Sequence, residues 1–192
     1  MTYTSRIGKK RKRERLLNLK GQLAPWTGRE DVLDVGCGRG LMMVGAARRL
    51  TSGKAVGIDL WREEDQAENT PEAALENARL EGVADRVSIE TGDARALPFA
   101  NASFDVVLSH WVIHNIPEAA DRARALDEMM RVLRPSGVLV LADIANKSEY
   151  EAHLRTQGLA NIREVTGGLE AQIAGILSGG AFKPQALVGI KT

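Results

Sequence analysis

The sequence has few of the residues that build cross-links, metal sites or membrane spans. Its 192 residues include one cysteine, Cys37, so no internal disulfide can form and a cytoplasmic location is expected. No run of about 18 apolar residues occurs, so no membrane span is predicted. His110 and His114 are accompanied by no acid or cysteine at ligand spacing, and no metal is expected.

Charge is distributed unevenly along the chain, although the net charge is only +1. Residues 1–20 contain eight Lys or Arg and one Glu, and the remainder contains 18 Lys or Arg and 24 Asp or Glu. We predict a basic arm over residues 1–24, with a short helix over 9–22, ahead of a single domain over 25–192. The arm is either solvated or a contact for RNA, an anionic surface or an acidic substrate, and its residues leave this open.

Residues 32–40 form the most informative stretch of the chain. An apolar run that ends in Asp34 predicts a buried strand, and glycines at 36, 38 and 40 predict a turn that passes close to a ligand. Residues 41–50 then predict a helix whose last turn carries paired arginines. A strand, a glycine turn and a helix N-terminus together indicate a site for a nucleotide-like ligand.

The glycine spacing distinguishes between two kinds of nucleotide site. A dinucleotide fingerprint requires a third glycine where this chain has Leu41 or Met43, which disfavours an NAD-dependent oxidoreductase. The pattern instead resembles the first motif of class I methyltransferases that use S-adenosylmethionine. The resemblance implies that the Asp34 carboxylate helps to hold the cofactor's ammonium group. It also implies that the turn makes room for the methionine part, through Gly36, Cys37, Gly38 and Gly40.

Two further acids stand at the positions that this resemblance leads us to expect. Asp59 ends the second predicted strand, 19 residues after Gly40, where an acid can accept hydrogen bonds from ribose hydroxyls. Leu60 and Trp61 offer apolar surface for the adenine ring, and the alternative for Trp61 is that it is an ordinary core or surface residue. After the third strand, the resemblance implies that Asp93 binds the adenine amino group, with the backbone of the next residue on a ring nitrogen. Gly92 and Ala94 flank this acid.

The segment after the fourth predicted strand contains two of the three histidines, His110 and His114. Histidine can act as a general base near neutral pH, so both are candidate proton acceptors for a methyl acceptor. His114 also occupies a position where many members of the resembled family have a structural histidine, and this alternative stays open. Ser109 is expected to contribute backbone to the cofactor pocket. Trp111 and Asp143 are candidate substrate-shaping neighbours, and the alternative for Asp143 is that it caps the end of its strand.

The order of elements predicts the fold class. Strand and helix alternate from residue 31 to 158, which predicts a parallel sheet with helices on both faces. Strands are predicted at 54–60, 86–91, 104–109, 138–142, 161–166 and 186–191, and helices at 71–81, 117–134 and 147–156. The resemblance implies a single-domain, doubly wound, Rossmann-like α/β fold whose seven-stranded sheet is mostly parallel, with an antiparallel C-terminal strand.

The resemblance implies an S-adenosylmethionine-dependent methyltransferase that acts on a small-molecule acceptor by in-line transfer. It is strongest toward the branch that includes enzymes of ubiquinone and menaquinone biosynthesis, in which the segment before the first strand often forms a lid. Two alternatives stay open: an RNA methyltransferase that uses the basic arm, and a non-catalytic regulator that binds the cofactor. The chain is either a monomer or a homodimer, with residues 167–182 as one possible contact.

Overall fold

The computed structural model describes residues 26–62, 69–166 and 185–192. The predicted arm over 1–24, its helix over 9–22 and the stretch over 167–182 lie outside the described residues. The lid, the RNA-binding alternative that rests on the arm, and the dimer contact therefore stay predictions. Within the described ranges, no helix combines the length and the apolar character that crossing a membrane requires.

The described strands form one seven-stranded sheet in the order β3-β2-β1-β4-β5-β7-β6. Strands β1 to β5 pair in parallel, and β7 runs antiparallel to both β5 and β6. The predicted fold class is therefore confirmed. The strands are β1 (Asp31–Val35), β2 (Lys54–Asp59), β3 (Val87–Thr91), β4 (Phe104–His110), β5 (Leu133–Asp143), β6 (Leu159–Thr166) and β7 (Gln185–Lys191).

Within the described residues, four α-helices cover the two faces of the sheet. Alternate strand residues face opposite sides: Val32 of β1 packs with the first two helices, and Leu33 packs with the last two. Both faces are thus buried, which explains why most residues of the central strands are apolar. The helices are α1 (Leu41–Ala47), α2 (Pro71–Leu80), α3 (Ala119–Val132) and α4 (Lys147–Thr156), with short 3₁₀ turns at Ala84–Arg86 and Ile113–Asn115.

Helix α1 is shorter than the sequence predicts. It ends at Ala47, so the paired arginines follow the helix instead of occupying its last turn. After Ala47 the backbone tightens, because the N–H of Arg49 bonds to the carbonyl of Ala46, three residues earlier. The guanidinium of Arg49 still donates to the carbonyl oxygen of Gly45 at 2.8 Å, so a cation satisfies the end of the helix from outside it.

Residues 135–137, which lie between the predicted helix over 117–134 and the predicted strand over 138–142, form a bulge inside β5. Leu133 and Val138 of β5 pair with Phe104 and Val106 of β4, so β5 takes five steps where β4 takes two. Ser136 carries a φ of +64° in this bulge. The strand therefore starts at Leu133, where we predicted the end of a helix, and α3 spans Ala119–Val132 in place of 117–134.

Candidate active site

A cleft of about 680 Å³ lies at the carboxyl ends of the central parallel strands. The sheet reverses its winding between β1 and β4, which is where α/β proteins of this type bind ligands. The glycine turn, the end of β2, the turn after β3 and the loop after β4 all contribute to its lining. A smaller cavity of about 360 Å³ lies near Asp105 and Gly137, at the amino end of β5, and contains none of the predicted site residues.

Asp34 lies at the floor of the cleft and is 1% exposed. Its Oδ2 accepts the backbone N–H of Met43 in α1 at 2.8 Å, and its Oδ1 has no hydrogen-bond partner among the described residues. Burial, reinforced by the nearby charge of Asp59, raises the pKa of the Asp34 carboxyl from 3.8 to about 7. A buried carboxylate with an unpartnered oxygen fits a cationic ligand group, such as an ammonium.

The glycine turn is fixed to the neighbouring strand. The backbone N–H groups of Gly36 and Cys37 both donate to the carbonyl of Ile58, at 2.8 and 3.1 Å. Gly36 has a φ of +70°, and a Cβ there would lie 2.2 Å from a methyl carbon of Val112. Gly40 has a φ of +79° and starts α1, but it does not line the cleft. The turn needs glycine for its backbone angles and for the close approach of the loop after β4.

Cys37 lines the cleft as a buried side chain and is 5% exposed. Burial raises the pKa of its thiol, and the charges of Asp34 and Asp59 act in the same direction. The thiol is therefore protonated at neutral pH, so it packs as a small apolar group and does not act as a nucleophile.

Asp59 connects three parts of the cleft wall. Its Oδ2 accepts the N–H of Gly38 at 2.8 Å, and its Oδ1 accepts the N–H of Trp61 at 2.8 Å and the amide of Asn69 at 3.1 Å. Leu60 lines the cleft and is 43% exposed, as expected for an apolar surface beside a ligand. Trp61 does not line it, because a backbone φ of +58° directs its indole to the hydroxyl of Thr91.

The turn after β3 brings Gly92, Asp93 and Ala94 to the same cleft. The N–H of Gly92 donates to the carbonyl of Asp59 at 3.1 Å, which ties this turn to the end of β2. The carboxylate of Asp93 is bound by the guanidinium of Arg95, with a shortest contact of 2.6 Å. Sequence reasoning missed Arg95, although a cation two residues after the acid is a signal that could have identified it.

The loop after β4 forms the other side of the cleft. His110 and Trp111 stack, with ring centroids 4.7 Å apart and planes 16° apart, and both line the cleft. Ser109 does not line it: this residue is fully buried in the sheet, and the lining on this side begins at His110. The reason is that β4 extends one residue beyond its predicted end. The loop's remaining contributions are Val112, Asn115, Ile116 and Pro117.

His114 faces Asp143, the last residue of β5, and does not line the cleft. Its Nδ1 lies 2.5 Å from Oδ1 of Asp143, and its backbone N–H donates to Oδ2 at 3.1 Å. Asp143 also accepts the N–H of Ile144 at 2.7 Å. This buried carboxylate therefore anchors the loop after β4 to the end of β5. Among the described residues, no cluster of three or more His, Cys, Asp or Glu could hold a metal ion.

Residues 33–141, from β1 to near the end of β5, match a family model described as a methyltransferase domain. The match covers more than half of the chain. The chain belongs to this family. The predicted resemblance to methyltransferases is confirmed. The relatives of this methyltransferase domain include demethylmenaquinone methyltransferases.

Two relatives and one solved structure illustrate the similarity. Methyltransferase GfsG of Streptomyces halstedii is 42% identical over 113 residues, which are 59% of this chain and 37% of that protein. A demethylmenaquinone methyltransferase of Symbiobacterium thermophilum is 32% identical over 109 residues, 56% of this chain and 40% of that one. The structure of geranyl diphosphate methyltransferase with GPP and sinefungin shares the fold at a TM-score of 0.72. Its identity is 18%, over 95% of this chain and 77% of that one. The methyltransferase domain thus matches less than half the length of these two relatives.

Proposed function

We propose that this methyltransferase domain binds S-adenosylmethionine in the cleft and transfers the methyl group to a small organic acceptor. The observation that carries the proposal is the convergence of Asp34, Asp59 and Asp93 on one cleft, beside the glycine turn. Asp34 lies in β1, Asp59 ends β2 and Asp93 follows β3, and parallel pairing of these strands brings the three acids to the same edge. Membership of the methyltransferase family supports the same assignment.

Each acid suits one polar part of the cofactor. Oδ1 of Asp34 is buried without a partner among the described residues and is the group that would hold the ammonium. Asp59, at the end of β2, would accept a ribose hydroxyl, and Asp93 would accept the adenine amino group. When bound, S-adenosylmethionine supplies an activated methyl group and its own leaving group. The main task of the protein is therefore to orient the acceptor.

The acceptor site is assigned to the loop after β4. His110 and Trp111 present stacked rings to the cleft, and Ile116 and Pro117 extend the same wall with apolar surface. A base is needed only where the acceptor must lose a proton, and His110 is the histidine that lines the cleft. His114 is a positioning residue in this proposal, because Asp143 holds both its ring and its backbone.

Thermal melting with S-adenosylhomocysteine, S-adenosylmethionine and NADH tests the cofactor assignment. A ligand that binds only the folded state raises the melting temperature with concentration. We expect this rise with the two sulfur nucleosides and not with NADH. We expect Asp59→Ala to abolish it. Asp85→Ala is the matched control, because Asp85 is an acid whose side chain is 73% exposed and lies outside the cleft.

Transfer of a labelled methyl group to an acceptor library tests the reaction itself. Incorporation into a small molecule that is lost with Asp59→Ala and retained with Asp85→Ala would support the proposal. A rise in melting temperature with NADH alone would contradict the cofactor assignment. Binding of S-adenosylhomocysteine with no transfer to any acceptor, RNA included, would instead favour a non-catalytic regulator.

A further inference from the structure

The carboxylate of Asp93 is engaged almost completely by one neighbour. Its Oδ1 accepts the backbone N–H of Arg95 at 2.9 Å, and Nη2 of the Arg95 guanidinium donates to Oδ2 at 2.6 Å. Nε lies 3.0 Å from both oxygens. This is a two-pronged arginine–carboxylate contact with an added backbone bond, an arrangement that fixes the direction of the carboxylate.

Arg95 is itself anchored from the opposite side. Its Nη1 donates to Oδ2 of Asp121, in the first turn of α3, at 2.7 Å. The guanidinium therefore bridges the turn after β3 and a helix on the sheet's face. Both Arg95 and Asp93 line the cleft, whereas Asp121 does not. The position of Asp93 is thus tied to the body of the domain and not only to its own turn.

Counting the acceptor positions of Asp93 indicates what it can still bind. An ionised carboxylate has about four lone-pair positions. Nε, Nη2 and the backbone N–H of Arg95 account for three of them, which leaves one for a further donor. The bonds from Arg95 also lower the pKa of Asp93, so the carboxylate is ionised at neutral pH and acts only as an acceptor. Such a group binds one N–H and repels a carbonyl oxygen.

We propose that Arg95 is a positioning residue that makes Asp93 a fixed acceptor for a single N–H donor, and so sets the preference for the 6-amino group of adenine over a 6-oxo purine. The inference rests on the proposed function, because it assigns the nucleoside end of the cleft to the cofactor. The specificity would come from Arg95 through Asp93, without contact between Arg95 and the base.

Calorimetric titration of the full chain with S-adenosylhomocysteine and S-inosylhomocysteine tests this role without any measurement of activity. The two ligands differ at the purine 6-position, where an amino group is replaced by an oxo group and the adjacent ring nitrogen gains a hydrogen. A hydrogen bond to a charged group contributes enough for the wild type to prefer the amino ligand by about tenfold or more. We expect Arg95→Met to reduce the ratio of the two affinities by a factor of about five, mainly because the variant binds S-adenosylhomocysteine more weakly.

Two further variants keep the test decisive. Arg79→Met is the matched control, because Arg79 forms a similar two-pronged pair with Glu76 on the exposed side of α2, and it should leave the ratio unchanged. Arg95→Lys keeps the charge but not the fork, so an intermediate ratio is expected. This variant also serves if Arg95→Met does not fold. Contacts of the ring nitrogen with the backbone at Ala94 are common to all variants and cancel in the comparison.

The possible outcomes separate the two proposals. An unchanged ratio in both Arg95 variants, with tight binding of S-adenosylhomocysteine, would overturn the role of Arg95 and leave the cofactor assignment intact. Tighter binding of S-adenosylhomocysteine by Arg95→Met would also overturn it, since Arg95 would then compete with the base for Asp93. Failure of the wild type to bind either ligand would overturn the proposed function, and this inference with it.

Discussion

Oδ2 of Asp59 accepts the backbone N–H of Gly38 at 2.8 Å, so the acid that ends β2 also holds the turn that follows β1. The other oxygen of Asp59 accepts the N–H of Trp61 and the amide of Asn69. One carboxylate therefore shapes the cleft from both sides, and of its about four lone-pair positions one stays available to a ligand. A residue with this dual role should affect stability and ligand binding by separable amounts.

The first prediction compares two substitutions of Asp59. Asparagine keeps one acceptor oxygen and alanine keeps none, so Asp59→Asn should lower the melting temperature less than Asp59→Ala. Both variants should bind S-adenosylhomocysteine at least about tenfold more weakly, because neither side chain presents a charged acceptor. Melting curves and calorimetric titration measure the two effects, with Asp85→Asn as control. Full affinity in Asp59→Asn would show that the charge is not used.

The second prediction concerns Asp34 and pH. The pKa of Asp34 is about 7 in the folded domain, against an ordinary value of 3.8. Between these two pH values Asp34 is protonated in the folded state and ionised in the unfolded state. The stability contributed by this proton is complete below pH 4 and is lost as the pH rises through about 7. The difference corresponds to about 4 kcal/mol at most. Asp34→Asn does not titrate, so it should stabilise the ligand-free domain at pH 8 relative to wild type.

Denaturant unfolding of the wild type and Asp34→Asn at pH 5 and pH 8 checks this expectation. The advantage of the variant should be larger at pH 8, while its affinity for S-adenosylhomocysteine should fall at least about tenfold through loss of the charge that faces the ammonium. An equal difference in stability at both pH values would contradict the raised pKa. Undiminished affinity would remove Asp34 from the ammonium site.

The third prediction separates steric contact from backbone strain at the glycine turn. Gly36 and Gly82 have the same φ of +70°, but a Cβ at Gly36 would meet Val112 at 2.2 Å, whereas at Gly82 nothing lies within 4 Å. Gly82→Ala should cost about 1–2 kcal/mol of unfolding free energy from the left-handed backbone alone. Gly36→Ala should cost about 3 kcal/mol or more, because it also displaces the loop after β4.

Denaturant unfolding measures both glycine variants, and titration with S-adenosylhomocysteine reports on the cleft. Only Gly36→Ala should weaken the binding of S-adenosylhomocysteine, since Val112 belongs to the cleft wall. Gly82 follows the end of α2 and does not line the cleft. Equal stability losses in the two variants would indicate that the loop yields to the added methyl group at little cost.

The fourth prediction distinguishes the two histidines. His110→Ala should raise KM for the acceptor while the affinity for S-adenosylhomocysteine stays within about twofold, because His110 lines the part of the cleft that we propose for the acceptor. His114→Ala removes the bond to the buried carboxylate of Asp143, so it should cost about 2 kcal/mol of unfolding free energy. Steady-state kinetics against pH, together with denaturant unfolding, provide the readout. If a stable His114→Ala variant no longer shows the pH dependence of its rate that a deprotonated basic group causes, His114 would be the proton acceptor.

Much of the site could be predicted from the sequence because its main parts are local. Asp34 and the glycine turn are contiguous in the sequence, and the strand, the turn and the helix to which they belong follow one another directly. Asp59 ends β2 and Asp93 lies in the turn after β3, and parallel pairing brings the ends of such strands to one edge. The end of α1 was harder to predict, because the tightening after Ala47 involves only weak local preferences.

Only the tertiary structure decided where the remaining side chains point. His114 turns to Asp143, 29 residues away, and Arg95 is anchored by Asp121, 26 residues away, and neither pairing leaves a local signal. Trp61 lies outside the cleft because its backbone adopts a positive φ and its indole N–H donates to the hydroxyl of Thr91. The sequence by itself determined which elements form and which acids end them, since those properties depend on near neighbours. Which side of the cleft each side chain serves depended on contacts between distant elements, which exist only once the sheet has formed.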